Sequence, residues 1–285
     1  MKRREMLKLS AGFVCVSSFP FGWIRAAEGK KPKVLYYTQS AGFRHGPVTR
    51  KNGELAFSEK VLMELGQQHG YEVVCTQDGG VFDGDLDQYA AIGLYTSGNL
   101  TQAKENPMTP KGKQRFLDWV AAGGGVIGFH SATDTFRTPK DKVDPFIAML
   151  GGEFISHGAQ QKATLRVVSP KFPGAYKLGK EFSLFEEWYA LYKFAKDLHV
   201  ILVQQTEGME GPMYQRPPFP ATWARMHGKG RVFYTSLGHR EDIWTNKEYF
   251  HPLVLGALAW VTKQADADVT PNIDQVTPHA NQLSR

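Results

Sequence analysis

Five histidines stand where a fold would deploy imidazole chemistry. His45, His130, His157, His239 and His251 each fall in a small-residue or aromatic context, at the end of a predicted strand or in a loop. Imidazole titrates near neutrality, so it serves as general base, general acid or metal ligand. His130 lies in the run Gly123-Gly124-Gly125-Val126-Ile127-Gly128-Phe129-His130-Ser131-Ala132-Thr133-Asp134. A short apolar stretch stops there on small residues, with Gly128 and Ala132 two positions either side of the histidine. That spacing lets a strand turn sharply into the next segment and push the central side chain toward solvent. Hydrolases and amidotransferases built this way carry Ser or Cys at the centre. A histidine there is a base or ligand and seldom a lasting nucleophile. His69, His199, His227 and His279 lack such a context and are expected on the surface or in the core.

Glu186-Glu187-Trp188-Tyr189 sets two carboxylates beside two aromatic rings. A carboxyl lodged against rings has a raised pKa and can act as acid or base. Strand alternation sends the two side chains to opposite faces, so one of them enters a site, and Glu187 is our choice. Asp134 follows His130 by four residues, placed either to orient the imidazole or to start the next helical turn. Arg44, next to His45, would clamp a hydroxylated or anionic substrate. Several imidazoles converging with a carboxylate make a proton-transfer site, or a site for zinc or a similar divalent ion.

Strands must carry these groups to one rim. Residues 34–38, 71–76, 90–95 and 125–129 read as strands, with helical patterns over about 53–69 and from Pro110 toward Gly123. Three strand–helix alternations in about a hundred residues predict an α/β fold with a doubly wound, mainly parallel sheet, whose ligands sit beyond the carboxyl ends of the strands. Further on, residues 145–150 read as a short helix, and 163–168, 182–188 and 200–204 as short strands. Residues 223–227 and 231–236 flank Gly228-Lys229-Gly230, a β-hairpin signal. A last helix is expected over 249–262.

The ordered set Gly42-Phe43-Arg44-His45, Gly128-Phe129-His130-Ser131-Ala132-Thr133-Asp134, Leu150-Gly151-Gly152 with His157, Glu186-Glu187-Trp188-Tyr189, and Gly228 through His239 resembles the ThuA-like (trehalose-utilisation) family over about residues 33–262. The resemblance implies a flavodoxin-like sheet of the class I glutamine-amidotransferase type. It also implies a place in sugar catabolism, with 3-keto derivatives of disaccharides and glycosides as substrates. His130 stands where true amidotransferases have their Cys nucleophile, which argues against glutamine hydrolysis. On this reading His130 or Glu187 is the base and His239 or His157 the acid. Arg44, His45, Ser131, Asp134, Trp188 and Tyr189 then surround a small carbohydrate, and a divalent metal polarising the ketone would be compatible. The competing reading is a non-catalytic sugar-binding or degenerate amidotransferase-like partner, with Trp188, Tyr189, Trp223 and Trp244 stacking on the sugar.

Of the net charge of +6, residues 1–27 carry +4, leaving +2 for the rest. So small an excess gives no reason to expect a nucleic-acid partner. Residues 1–27 pair Arg3 and Arg4 with a short, interrupted apolar stretch, the pattern of a twin-arginine export signal. The stretch is too short and polar for a stable span, so the expected location is the periplasm or exterior, with a membrane tether if the signal stays uncleaved. The expected division is signal 1–27, an α/β domain over 28–264 and a loosely attached tail over 265–285. Removing the signal leaves Cys75 alone, so no intrachain disulfide can form. Oligomeric state has no signature in this sequence.

Overall fold

A computed structural model of the chain describes residues 31–139 and 141–283, so the export-type segment lies outside the described residues. Strands β1 (Lys33–Tyr37), β2 (Glu72–Thr76), β3 (Ala91–Leu94) and β4 (Gly125–Phe129) alternate with helices α1 (Phe57–Gln68) and α2 (Pro110–Ala122). Then come α3 (Pro145–Leu150), β5 (Glu153–His157), β6 (Gln161–Val167), β7 (Glu181–Glu186), β8 (Tyr189–Tyr192) and β9 (His199–Gln204). The chain finishes with β10 (Phe219–His227), β11 (Gly230–Thr235), α4 (Glu241–Trp244), α5 (Phe250–Val261) and α6 (Ile273–Val276).

Nine strands form one mostly parallel, mixed sheet in the order β2-β1-β3-β4-β11-β10-β9-β6-β7. The pairings β1 with β2, β1 with β3, β3 with β4 and β4 with β11 are parallel. Beyond β11 the pairs are antiparallel, so β10 and β6 run against the other seven strands. The continuous apolar runs of β3 and β4 are buried along their whole length, as a sheet covered on both faces requires. One apolar cluster unites Leu62 and Leu65 of α1 with Leu253, Val254 and Leu258 of α5. The other unites Phe116 and Val120 of α2 with Phe146 and Leu150 of α3. Helices therefore cover both faces, as the doubly wound expectation requires. β10 and β11 form the expected hairpin, with His227 paired to Gly230 across Gly228-Lys229.

Element ends have local causes. α1 begins at Phe57 rather than near Gly53 because the buried Glu59 carboxylate turns back to accept the Ala56 N–H at 2.8 Å. The same carboxylate takes Arg50 Nε at 2.8 Å and the Thr38 hydroxyl at 2.5 Å. The expected strand over 182–188 breaks after Glu186. The chain restarts as β8 in a separate two-stranded sheet with β5, a pairing the sequence did not suggest. Cys75 in β2 is half-buried, and burial pushes its thiol up to about 12.

The segment after Gln264 is docked rather than loosely attached. Asn272 accepts the Val200 N–H at 2.6 Å and donates to the Val200 carbonyl at 3.1 Å. Asn281 does the same with both backbone groups of Phe194, at 2.9 and 3.1 Å. Ile273 and Ala280 are buried beneath them. A side-chain amide reproduces a peptide's donor and acceptor, so a segment with little apolar content can still be held by the strands it meets.

Candidate active site

Each contributing side chain leaves the scaffold from a different connection. His45 lies in the loop after β1, His130 directly after β4, Glu187 between β7 and β8, and His239 after β11, while His157 ends β5. β1, β4, β7 and β11 run the same way, so their connections emerge at the carboxyl edge of the sheet.

The turn at His130 is strained. Its φ of 39° lies in the left-handed region, which costs a non-glycine residue about 1–3 kcal/mol. The neighbours are small because the space is full. A Cβ at Gly128 would stand 3.0 Å from the Tyr234 ring and 3.1 Å from Leu150 Cδ2. The Tyr234 hydroxyl donates to the His130 carbonyl at 2.7 Å and helps hold the turn. The side chain does not rise into solvent as the spacing suggested. It is fully buried under Tyr189, whose ring centroid is 4.0 Å away and which arrives on β8. His130 Nδ1 donates to the Ser236 carbonyl at 2.8 Å, which fixes the tautomer and leaves Nε2 bare in the neutral ring. Asp134 plays no part in that orientation, for its carboxylate pairs with Arg137 at 3.2 Å.

Glu187 is the centre of the group. Its Oε2 lies 3.0 Å from His239 Nδ1, 3.4 Å from His130 Nε2 and 4.0 Å from His45 Nε2, and its Oε1 lies 3.3 Å from His157 Nδ1. The Tyr189 hydroxyl meets His45 Nε2 at 3.2 Å. His45, His130 and His239 each leave one buried ring nitrogen with no hydrogen-bond partner: Nδ1, Nε2 and Nδ1 respectively. Exposure sorts the group into depths. The side chains of His130 and His45 are 0% and 3% exposed, whereas Glu187, His239 and His157 reach 11%, 17% and 44%. A substrate arriving from solvent would meet the last three first.

Burial pushes the His45 imidazole down to about 2, and the neighbouring His130 and His239 add to the shift. Burial also lowers His130. Both rings are therefore neutral near pH 7. Burial alone would raise the Glu187 carboxyl, but His130 and His239 more than offset it and hold it well below the usual carboxylate range. The result is an anionic carboxylate beside two neutral, buried imidazoles, an arrangement able to accept a proton or ligate a cation. His45, His130, His239 and Glu187 each offer one donor atom, and these atoms lie within 4.8 Å of one another, so the group could hold a metal ion.

Other candidates lie elsewhere. Arg44 is exposed at the rim, where it donates to Gln77 Oε1 at 3.1 Å and Gln39 Oε1 at 2.9 Å. Ser131 is buried in the turn after His130. Trp188, Trp223 and Trp244 cannot stack on a sugar, because all three are buried in the core with their indole N–H groups bonded to the carbonyls of Gln161, Leu150 and Gly238. His251 is outside the group and bonds the Trp244 carbonyl. An aromatic ring that does stand open beside the group is Phe43, 70% exposed, with its ring centroid 4.9 Å from that of His45. Its place in a glycine-led loop beside His45 is the sequence signal for it.

Three supporting groups escaped the sequence. Ser236 acts through its carbonyl, so its side-chain type carries no information. Glu186 faces away from Glu187 and accepts the backbone N–H groups of Gly238 and His239 at 2.8 and 2.7 Å, which sets the loop that delivers His239. Burial raises its carboxyl to about 7. Gln160 meets His239 Nε2 at 3.0 Å.

Comparison with known proteins agrees with this architecture. The family model described as trehalose utilisation, ThuA, matches residues 33–261. A ThuA-like protein from Bacteroides uniformis superposes with a TM-score of 0.59 at 22% identity, over 83% of this chain and 94% of that one. A ThuA-like protein from Parabacteroides merdae gives 0.58 at 16% identity, over 90% and 97%. A β-galactosidase from Bacillus circulans sp. alkalophilus gives 0.50 at 12% identity, over 80% of this chain and 30% of that one. These likenesses speak to fold. No curated protein sequence matches the chain.

Proposed function

Because the chain belongs to the ThuA family of trehalose-utilisation proteins, we propose that it is a carbohydrate-active enzyme using acid/base chemistry on 3-keto-sugars or 3-keto-glycosides. The observation that carries this reading is the meeting of Glu187 with four imidazoles from four separate connections. A ketone at C3 acidifies the neighbouring C2–H. Glu187, anionic and at the exposed side of the group, takes that proton as the C2–H bond breaks. The electron pair forms the enediolate and then the C1–C2 double bond as the C1–O bond breaks, and His157 or His239 protonates the departing oxygen. Proton return at another carbon gives isomerisation, and the reverse addition of water gives hydration, from the same groups. His130 and His45 lie behind Glu187 and hold it in place. A divalent ion held at the four-donor group would polarise a ketone that reached a further coordination position. With its twin-arginine-type leader, the enzyme would act after export from the cytoplasm, which cell fractionation tests.

The test is proton exchange. Incubated in D2O with a 3-keto-glycoside, the protein should exchange or eliminate at C2, as product NMR reports. Glu187→Gln should slow this by about a hundredfold or more. Sugar binding with no exchange and no product, unaltered by Glu187→Gln, would establish the non-catalytic reading instead.

A further inference from the structure

We propose that His45, His130, His239 and Glu187 form a binding site for one divalent first-row transition-metal ion, zinc by the chemistry of the donors. The inference deepens the function above and rests on it only for what the ion would do to a substrate. Binding itself stands on geometry.

A tetrahedral zinc centre with legs of about 2.0–2.2 Å separates its donors by about 3.4 Å. From Glu187 Oε2, the nitrogens of His239, His130 and His45 stand at 3.0, 3.4 and 4.0 Å. These three separations bracket that edge length, and all four donor atoms lie within 4.8 Å of one another, so small side-chain shifts would bring them onto one ion. Three imidazoles and one carboxylate suit zinc and its neighbours, whereas magnesium and calcium take oxygen ligands.

A second observation is independent of these distances. Buried polar atoms in folded proteins nearly always have a partner. Here His130 Nε2 and His239 Nδ1, the two ring nitrogens nearest Glu187 Oε2, are buried and without a hydrogen-bond partner. At His130 the cause is explicit. Nδ1 gives its hydrogen to the Ser236 carbonyl, so the Nε2 lone pair of the neutral ring faces a carboxylate oxygen. The two atoms stand 3.4 Å apart, and a cation between them would be drawn to both.

The outer contacts fit as well. Metal-bound histidines commonly donate their remaining N–H to a carbonyl or carboxylate, as His130 does to Ser236. At His239 the Gln160 amide nitrogen stands 3.0 Å from Nε2 while its carbonyl holds Arg240 Nη1 at 2.9 Å, so ligation through Nδ1 would have Gln160 turn over and release Arg240. His157 stays outside the set, on the Oε1 side of Glu187 and half open to solvent, placed to move protons for a substrate bound at the ion.

The experiment reads the metal directly. Purified protein is stripped with chelator, dialysed and titrated with zinc by calorimetry and with cobalt(II) by visible absorption. Expected are one ion per chain, the intense visible bands of low-coordinate cobalt, and a higher melting temperature with the ion. Glu187→Gln and His239→Asn should weaken uptake at least about tenfold while keeping the wild-type circular dichroism. His157→Asn should bind as the wild type does. Stripped protein that takes up no ion, or His157→Asn losing uptake as fully as His239→Asn, overturns the site. No substrate enters these titrations, so the two readings fail separately. Uptake without turnover on any 3-keto-glycoside removes the function and keeps the site, and full turnover by stripped protein removes the ion's role and keeps the function.

Discussion

Single side chains divide the work by depth. His130 is sealed beneath Tyr189 and contacts Glu187 rather than solvent, so under the proposed function its part is to hold and tune the carboxylate. We expect His130→Asn to fold, since asparagine tolerates the left-handed backbone better than most residues, and to lose about a hundredfold or more in kcat. Steady-state kinetics beside a thermal melt would check this, and unchanged kcat would remove His130 from the mechanism. Phe43 is the complement, an exposed ring at the mouth of the group. A sugar lying on its face would shed water from both surfaces. Phe43→Ala should then raise KM for a keto-glycoside roughly tenfold with little change in kcat. An equal fall in kcat at constant KM would contradict a platform role.

Short backbone contacts between loops set where those side chains stand. Gly98, at φ 71°, packs so tightly on the loop bearing His45 that an added Cβ would lie 2.3 Å from the Gly42 nitrogen. Its N–H bonds the Asp134 carbonyl and its own carbonyl takes the Phe136 N–H, so it also touches the segment after His130. Gly98→Ala should destabilise the protein by about 2–3 kcal/mol and displace His45. A melting curve and activity assay matching the wild type would refute that. The parallel half of the fold was legible because strands such as Ala91–Leu94 and Gly125–Phe129 are unbroken apolar runs between helices with ordinary start and stop signals. β5 and β8 were not, because they are short, irregular in register and defined by each other rather than by pattern. The positions of the imidazoles followed from strand ends, but their burial did not, since the cover over His130 comes from β8, dozens of residues away. The docking of the tail is not legible either, because Asn272 and Asn281 attach it through backbone groups that periodicity does not register.

The molecule as a whole joins a parallel half to an antiparallel half across one seam. β11 pairs with β4 on one side and β10 on the other, in the middle of the nine-stranded order. It is also the last strand among the described residues. Throughout synthesis β4 therefore waits with an open edge, an invitation to pair wrongly with another chain. Until residues 230–235 slot in, His45 and His130 have no His239 facing them. A ribosome-bound fragment stopping short of that strand would be a sticky half-sheet with no working centre. The native protein, diluted from denaturant, should recover best at low concentration, where the latecomer finds its own gap before a stranger's.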